Sequence, residues 1–159
     1  MKTFKQFMEE LEVNDFQMKV ANSNKFHALV HMHPQKFLQM TTKDAAHMKQ
    51  IMDDAQPLHK YNEYTRTGST YNAPSLKIDK HPDLRGFHKV VSHEGRHRAA
   101  ALLKAGHTTM PVFIKAPYHD GVPERQHGFE HVPEVIHGQV GKGVMLKSDM
   151  KLIKDRTAV

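Results

Sequence analysis

Apolar spacing sets the first divisions of the chain. Phe4, Phe7, Met8 and Leu11 recur at intervals of three and four with lysine and glutamate between them, which predicts a short amphipathic helix. KFHALVHMHP alternates loosely and stops at Pro34, the pattern of a strand leading into a turn. PQKFLQM follows with Pro34 at a helix start. Thr42 then precedes KDAAHMKQIMDDA, whose Ala46, Met48, Ile51, Met52 and Ala55 predict a helix stopped near Pro57. From Leu58 to Pro74 no period is sustained, so this stretch reads as a long loop, of the kind that often carries function.

Farther along, SLKID predicts a short strand, HPDLRG a turn and FHKVV a second strand. The run EGRHRAAALLKA predicts a helix that ends at Gly106, in the place of a C-terminal glycine cap, and TTMPVFIKA returns as a strand. Past Pro117 the chain is rich in Gly, Pro and His until GVMLKSDMKLI, a final strand or helix. The expected fold is therefore α/β, a small mixed sheet with flanking helices. The pattern divides the chain into an N-terminal amphipathic helix or leader (1–24), a core (25–117) and a C-terminal extension (118–159). At 159 residues, one domain can bury a real core without staples.

Composition narrows the chemistry. There is no cysteine, which excludes a disulfide framework, a thiolate zinc site and a cysteine nucleophile. No apolar run approaches the roughly 18 residues of a membrane span, and MKTFKQFMEEL is too charged for a secretory signal. The expectation is a soluble, cytoplasmic protein with no membrane partner. A formal charge of +6, with 14 histidines uncounted, favours polyanionic partners, nucleotide or nucleic acid.

The densest chemistry lies in VVSHEGRHRAAALL, where His93, Arg96, His97 and Arg98 surround Gly95. With a strand ending near Ser92 and a helix starting near Glu94, the first-turn N–H groups are unpaired and the helix dipole favours an anion. Arginines there oppose the dipole by a few tenths to about 1 kcal/mol each. A bound phosphate reverses that sign, because guanidinium forks and backbone donors converge on it. The plain alternative is that Arg96 and Arg98 point to solvent or pair with Glu94, Asp79 or Asp83. The TRTGSTYNAP stretch offers Arg66, Ser69 and Thr70 as phosphate donors and Tyr64 or Tyr71 as stacking platforms, or is a connector. His31 and His33 share a strand face and offer two metal ligands beside His93 or His97, or are simply solvated. GQVGKG lacks the order of a phosphate-binding glycine loop.

The run HEGRHRAAALLKAG followed by MPVFI resembles the core of the ParB and sulfiredoxin superfamily, in which a G-x-x-R turn opens a helix, the helix ends in glycine and a PV strand follows. HMHPQKFLQMTT stands where that superfamily has its first strand and following helix, so the likeness covers Phe26 to Lys115. It implies a turn that holds nucleotide phosphates: ParB proteins bind cytidine triphosphate there, sulfiredoxin binds ATP, and other members are described as nucleases or small-molecule kinases. By position, Gly95, His97 and Arg98 match the Gly, His and Arg of sulfiredoxin's G-C-H-R. Arg96 stands in place of the cysteine, which excludes sulfinic acid reduction. Against ParB's G-E-R-R, Arg96 replaces a glutamate that helps hold a metal, and Glu94 lies two residues upstream. The helix-turn-helix of ParB proteins is missing.

HEGRHRA with P-x-x-F-L upstream and PV downstream also resembles small ParB-like proteins carried by bacteriophages. MKTFKQFMEE resembles the capsid-targeting leaders of internal head proteins in large contractile-tailed phages, cut after an apolar-x-Glu triplet that Met8, Glu9 and Glu10 fill. A plain amphipathic helix packed on the core is the competing reading. Together these resemblances imply a phage protein that binds nucleotide or nucleic-acid phosphates, with metal-assisted phosphoryl transfer or nuclease activity as the enzymatic form. Glu94 and His97 are the expected catalytic groups, Glu94 as base or metal ligand. Ser92, His93, Gly95, Arg96 and Arg98, with Arg66, Ser69 and Thr70, are the expected phosphate ligands, and magnesium or manganese the expected cofactor with a nucleotide. The alternative is a non-catalytic, basic, DNA-associated phage protein in the host cytoplasm or packaged in the virion head, acting on a host partner.

Overall fold

The computed structural model describes residues 15–23, 27–62, 72–79, 84–85, 87–115, 133, 135–138 and 143–153. In chain order the described elements are α1 (Asp15–Ser23), β1 (His27–Met32), α2 (Pro34–Thr41), α3 (Ala45–Asp54), α4 (Leu58–Asn62), β2 (Ser75–Ile78), β3 (His88–Glu94), α5 (Arg96–Lys104), β4 (Met110–Lys115), β5 (Val135–His137), β6 (Val144–Leu146) and β7 (Lys151–Leu152). The strands form one mixed sheet in the order β6-β5-β3-β2-β4-β1-β7. The fold is α/β, as the pattern predicts. The N-terminal helix expected around Phe4 to Leu11 lies outside the described residues.

Strand alternation divides the core between two faces. Val30 and Met32 of β1, Leu76 and Ile78 of β2, Val90 of β3, and Met110, Val112 and Ile114 of β4 meet Phe37, Leu38, Met40, Ile51 and the buried face of α5. The intervening Leu29 and Phe113, with Ala73, meet Met18, Val20 and Ala21 of α1 on the opposite face. The period of two thus places helices on both sides of the sheet. The end of the chain, expected as a strand or helix, supplies both kinds of short element: β6, a 3-10 turn over Lys147–Asp149, and β7.

Local chemistry moves two predicted boundaries. Asp44, not Thr42, starts α3: its carboxylate accepts the His47 N–H at 2.8 Å. Thr42 is consumed by the preceding helix, its buried hydroxyl donating to the Leu38 carbonyl at 2.6 Å. Within the predicted long loop, Leu58–Asn62 is helical, starting with a Lys60 N–H bond to the Pro57 carbonyl at 3.0 Å. Five residues are too few to print a helical period.

Helix α5 is the centre of the helical layer. Ala99, Ala100, Ala101 and Leu102 are all buried in succession, so this stretch is covered on every side, and the helix packs against α2, α3 and α4. Its C-terminus closes as predicted: the Gly106 N–H reaches the Leu103 carbonyl and the His107 N–H the Leu102 carbonyl, both at 3.0 Å, with Gly106 at φ +90°. Strand β4 then runs parallel to β2, which is itself antiparallel to β3. The predicted strand, helix, strand unit is present, but its two strands run in opposite senses with β2 between them.

His107 is buried and its Nδ1 has no hydrogen-bond partner among the described residues. Burial pushes its pKa below the ordinary imidazole value. The unfolded chain therefore takes up the proton first, so this contribution to stability is whole above about pH 6.5 and is lost as pH falls below it. Urea unfolding at pH 7.5 and 5.5 is expected to show the lower midpoint at pH 5.5. His107→Leu, which keeps the burial and removes the titration, is expected to narrow that gap.

Candidate functional site at the Gly95 turn

The positions of Ser92, His93 and Glu94 follow from one irregularity. Ile78 pairs with Val90, but the next residue back, Lys77, pairs with Ser92, so Val91 is an extra residue in β3. A β-bulge of this kind moves every following side chain to the other face. Val90 faces the helical layer with Ile78. Beyond the bulge His93, opposite Leu76, faces that layer, while Ser92 and Glu94, opposite Lys77 and Ser75, face the α1 side.

Strand β3 runs through Glu94, two residues past the expected end, and the helix starts at Arg96. Gly95 makes the junction at φ +99°, and a Cβ there would lie 2.8 Å from both Pro74 Cβ and Arg98 Nη2. Only glycine fits that left-handed, crowded position without strain. The first intrahelical bond runs from the Ala99 N–H to the Gly95 carbonyl at 3.0 Å, and no side chain caps the helix. The N–H groups of Arg96, His97 and Arg98 therefore point out of the helix start without intrahelical acceptors. They border a cleft of about 310 Å³ lined by Tyr61, Asn72, Glu94, Gly95, Arg96, His97 and Arg98.

The two arginines part company. The Arg98 side chain, 13 % exposed, lies over Gly95 and donates to the Glu94 carboxylate, which is 65 % exposed. The pairing with Glu94 is the plain alternative that the sequence allowed. Arg96 Nη1 instead donates to the Thr41 carbonyl at the end of α2, at 3.2 Å, and lies 3.4 Å from His47 Nε2. A cation at a helix C-terminus is favoured, so Arg96 recovers there what it loses at the N-terminus of its own helix. His93 is half-buried, and its pKa is lowered first by burial, then by Arg96 and His47.

Five of the predicted site residues, Glu94 to Arg98, thus share the cleft. Ser92 is exposed beyond it, and His93 faces the helical layer. Arg66, Ser69, Thr70, Tyr64 and Tyr71 lie outside the described residues. His31 and His93 sit on opposite sheet faces, and the His33 Nδ1 caps α2 by accepting the Gln35 N–H at 3.1 Å. No group of three or more His, Cys, Asp or Glu side chains among the described residues is arranged to hold a metal. Tyr61 and Asn72 join the cleft without a signal in the sequence beyond their place in a non-periodic stretch.

Gly95→Ala is expected to destabilise the fold by about 1–3 kcal/mol in urea unfolding, because it forces an L side chain into a left-handed, occupied position. Glu94→Gln is expected to cost about 1 kcal/mol or less, since the Glu94 end of its ion pair is largely in solvent and glutamine still offers an acceptor to the less exposed Arg98 guanidinium. The second substitution therefore separates a role in chemistry from a role in folding.

No protein-family model, no curated protein and no solved structure matches the chain. The functional reading accordingly rests on the turn itself.

Proposed function

We propose that the Gly95 turn binds a phosphate group, carried by a nucleotide or a nucleic acid, in the manner that the resemblance to the ParB and sulfiredoxin superfamily implies. The observation that carries this reading is the uncapped start of α5, three outward N–H groups bordering a cleft of about 310 Å³. The Arg98 guanidinium flanks them and is held, among the described residues, by the exposed Glu94 carboxylate, which an incoming phosphate can replace with a bidentate contact. His97, exposed at the same rim, adds a donor.

Glu94 sets the requirement for a cation. A carboxylate beside a phosphate is repulsive unless a metal lies between them. Magnesium or manganese suits that position because it accepts one protein carboxylate and takes its other ligands from phosphate and water. In the catalytic form of the proposal, such a metal would supply charge neutralisation at the transferring phosphoryl group, and Glu94 or His97 would hold the proton of the attacking group. In the non-catalytic form, the same turn simply retains a polyanion and Glu94 has no chemical duty.

The test is thermal denaturation with inorganic phosphate, pyrophosphate, nucleoside triphosphates and short DNA, each with and without magnesium or manganese. At ligand about 100-fold over Kd the stabilisation is ~2.7 kcal/mol, a Tm rise of roughly 5–11 °C for a domain of this size. Arg98→Ala is expected to weaken binding at least tenfold. Glu94→Gln is expected to retain metal-free phosphate binding and to lose metal-dependent turnover. Retained binding with no turnover in the unsubstituted protein selects the non-catalytic form, and no shift with any of these ligands removes the phosphate reading.

A further inference from the structure

The contact between Arg96 and His47 has a mismatch built into it. His47 stands in the first turn of α3, where its Nδ1 accepts the Lys43 backbone N–H at 3.1 Å. An Nδ1 that accepts leaves the hydrogen of the neutral ring on Nε2. That Nε2–H faces Arg96 Nη1, another donor, at 3.4 Å. Exchanging the tautomer only moves the conflict, because an Nδ1–H would then oppose the Lys43 N–H. Two donors at this distance form no hydrogen bond; they are the two sides of a place for an acceptor.

The surroundings select the kind of acceptor. Arg96 Nη1 gives one hydrogen to the Thr41 carbonyl, and its Nη2 and Nε have no partner among the described residues. His93, opposite Leu76 at the bulged end of β3, faces the same helical layer that holds His47 and the Arg96 side chain. The nearby carboxylates are engaged elsewhere, Glu94 with Arg98 and Asp44 with the His47 backbone N–H. Two side chains that donate therefore meet at one backbone carbonyl, a third that can donate faces the same layer, and no carboxylate among the described residues is bonded to any of them.

We propose that Arg96, His47 and His93 form a second oxyanion site, distinct from the N–H groups of the Gly95 turn, that takes a phosphoryl or sulfuryl group. Its occupant accepts from His47 Nε2 and from the Arg96 guanidinium, and resolves the donor conflict between them. The site deepens the phosphate reading of the turn, because Arg96 borders the cleft with its main chain and reaches this cluster with its side chain. His47, 49 residues from Arg96 in the chain, enters only through the packing of α3 on α5.

The experiment is a titration of the full chain with inorganic phosphate, followed by NMR at the imidazole resonances of His47 and His93 and at the backbone amides of His97 and Arg98. The site predicts saturable shifts of both rings with one Kd, not reproduced by sodium chloride at equal ionic strength. His47→Gln is expected to raise the Kd read at the His93 ring at least fivefold while leaving the amide response of the turn in place. Amides that move while the rings stay still overturn this site and leave the turn reading standing. Rings that move while the amides stay still support the site and remove the turn reading. Ring shifts reproduced by sodium chloride, or a His47→Gln protein whose circular dichroism is native and whose His93 response is unchanged, also overturn it.

Discussion

The arrangement depends on the thinness of α5. Ala99, Ala100 and Ala101 give that helix no bulk, so α2 and α3 approach it closely. Close approach then lets its two basic ends act on neighbouring helices. Arg96 reaches the last carbonyl of α2, that of Thr41, and Lys104 donates to the Met52 carbonyl at 2.6 Å at the end of α3. Cations at helix C-termini complement the dipoles there. The alanine run thus lets both ends of α5 be tied, the start through Arg96 to α2 beside the Gly95 turn and the end through Lys104 to α3.

A pre-positioned turn changes the energetics of anion binding. The positive ends of helices and flexible arginines are ordinary surface features, and ordering long side chains around a ligand costs about 0.5–1.5 kcal/mol each. Here Arg96 is already held by a carbonyl and Arg98 by a neighbouring carboxylate, so most of that ordering accompanies folding. The Glu94 side of that contact is exposed, which leaves its carboxylate open to exchange. What remains for a ligand is desolvation and competition with one carboxylate, which is where a divalent cation acts.

The sequence revealed those features that are periodic or local. Strands β1, β2 and β4, helices α2, α3 and α5, the proline start of α2 and the glycine end of α5 follow from spacing and cap chemistry within a few residues. The bulge at Val91 was hidden because KVVSHE is equally compatible with an unbroken alternation, and only pairing with β2 shows the slip. The destination of Arg96 was hidden for a related reason: the Thr41 carbonyl and His47 lie 55 and 49 residues away in the chain. Weighed against the dipole of their own helix, both arginines look misplaced; for Arg96 the deciding dipole belongs to α2.

The bulge also gives β3 a property that an ordinary strand lacks. In an alternating strand, the parity of a residue's position decides its face, and a site inherits the parity of the core. Val91 breaks that inheritance: the hydrophobic half of β3 and its chemical half are out of phase, so each keeps its own reading frame on the sheet. If Val91 were paired in unbroken alternation with Val90, Glu94 would face the helices and His93 would face α1; deleting Val91 instead would smooth the strand and leave Ser92, His93 and Glu94 opposite the same partners. The side that each chemical residue takes is thus set by its partner on β2 and not by its count along β3.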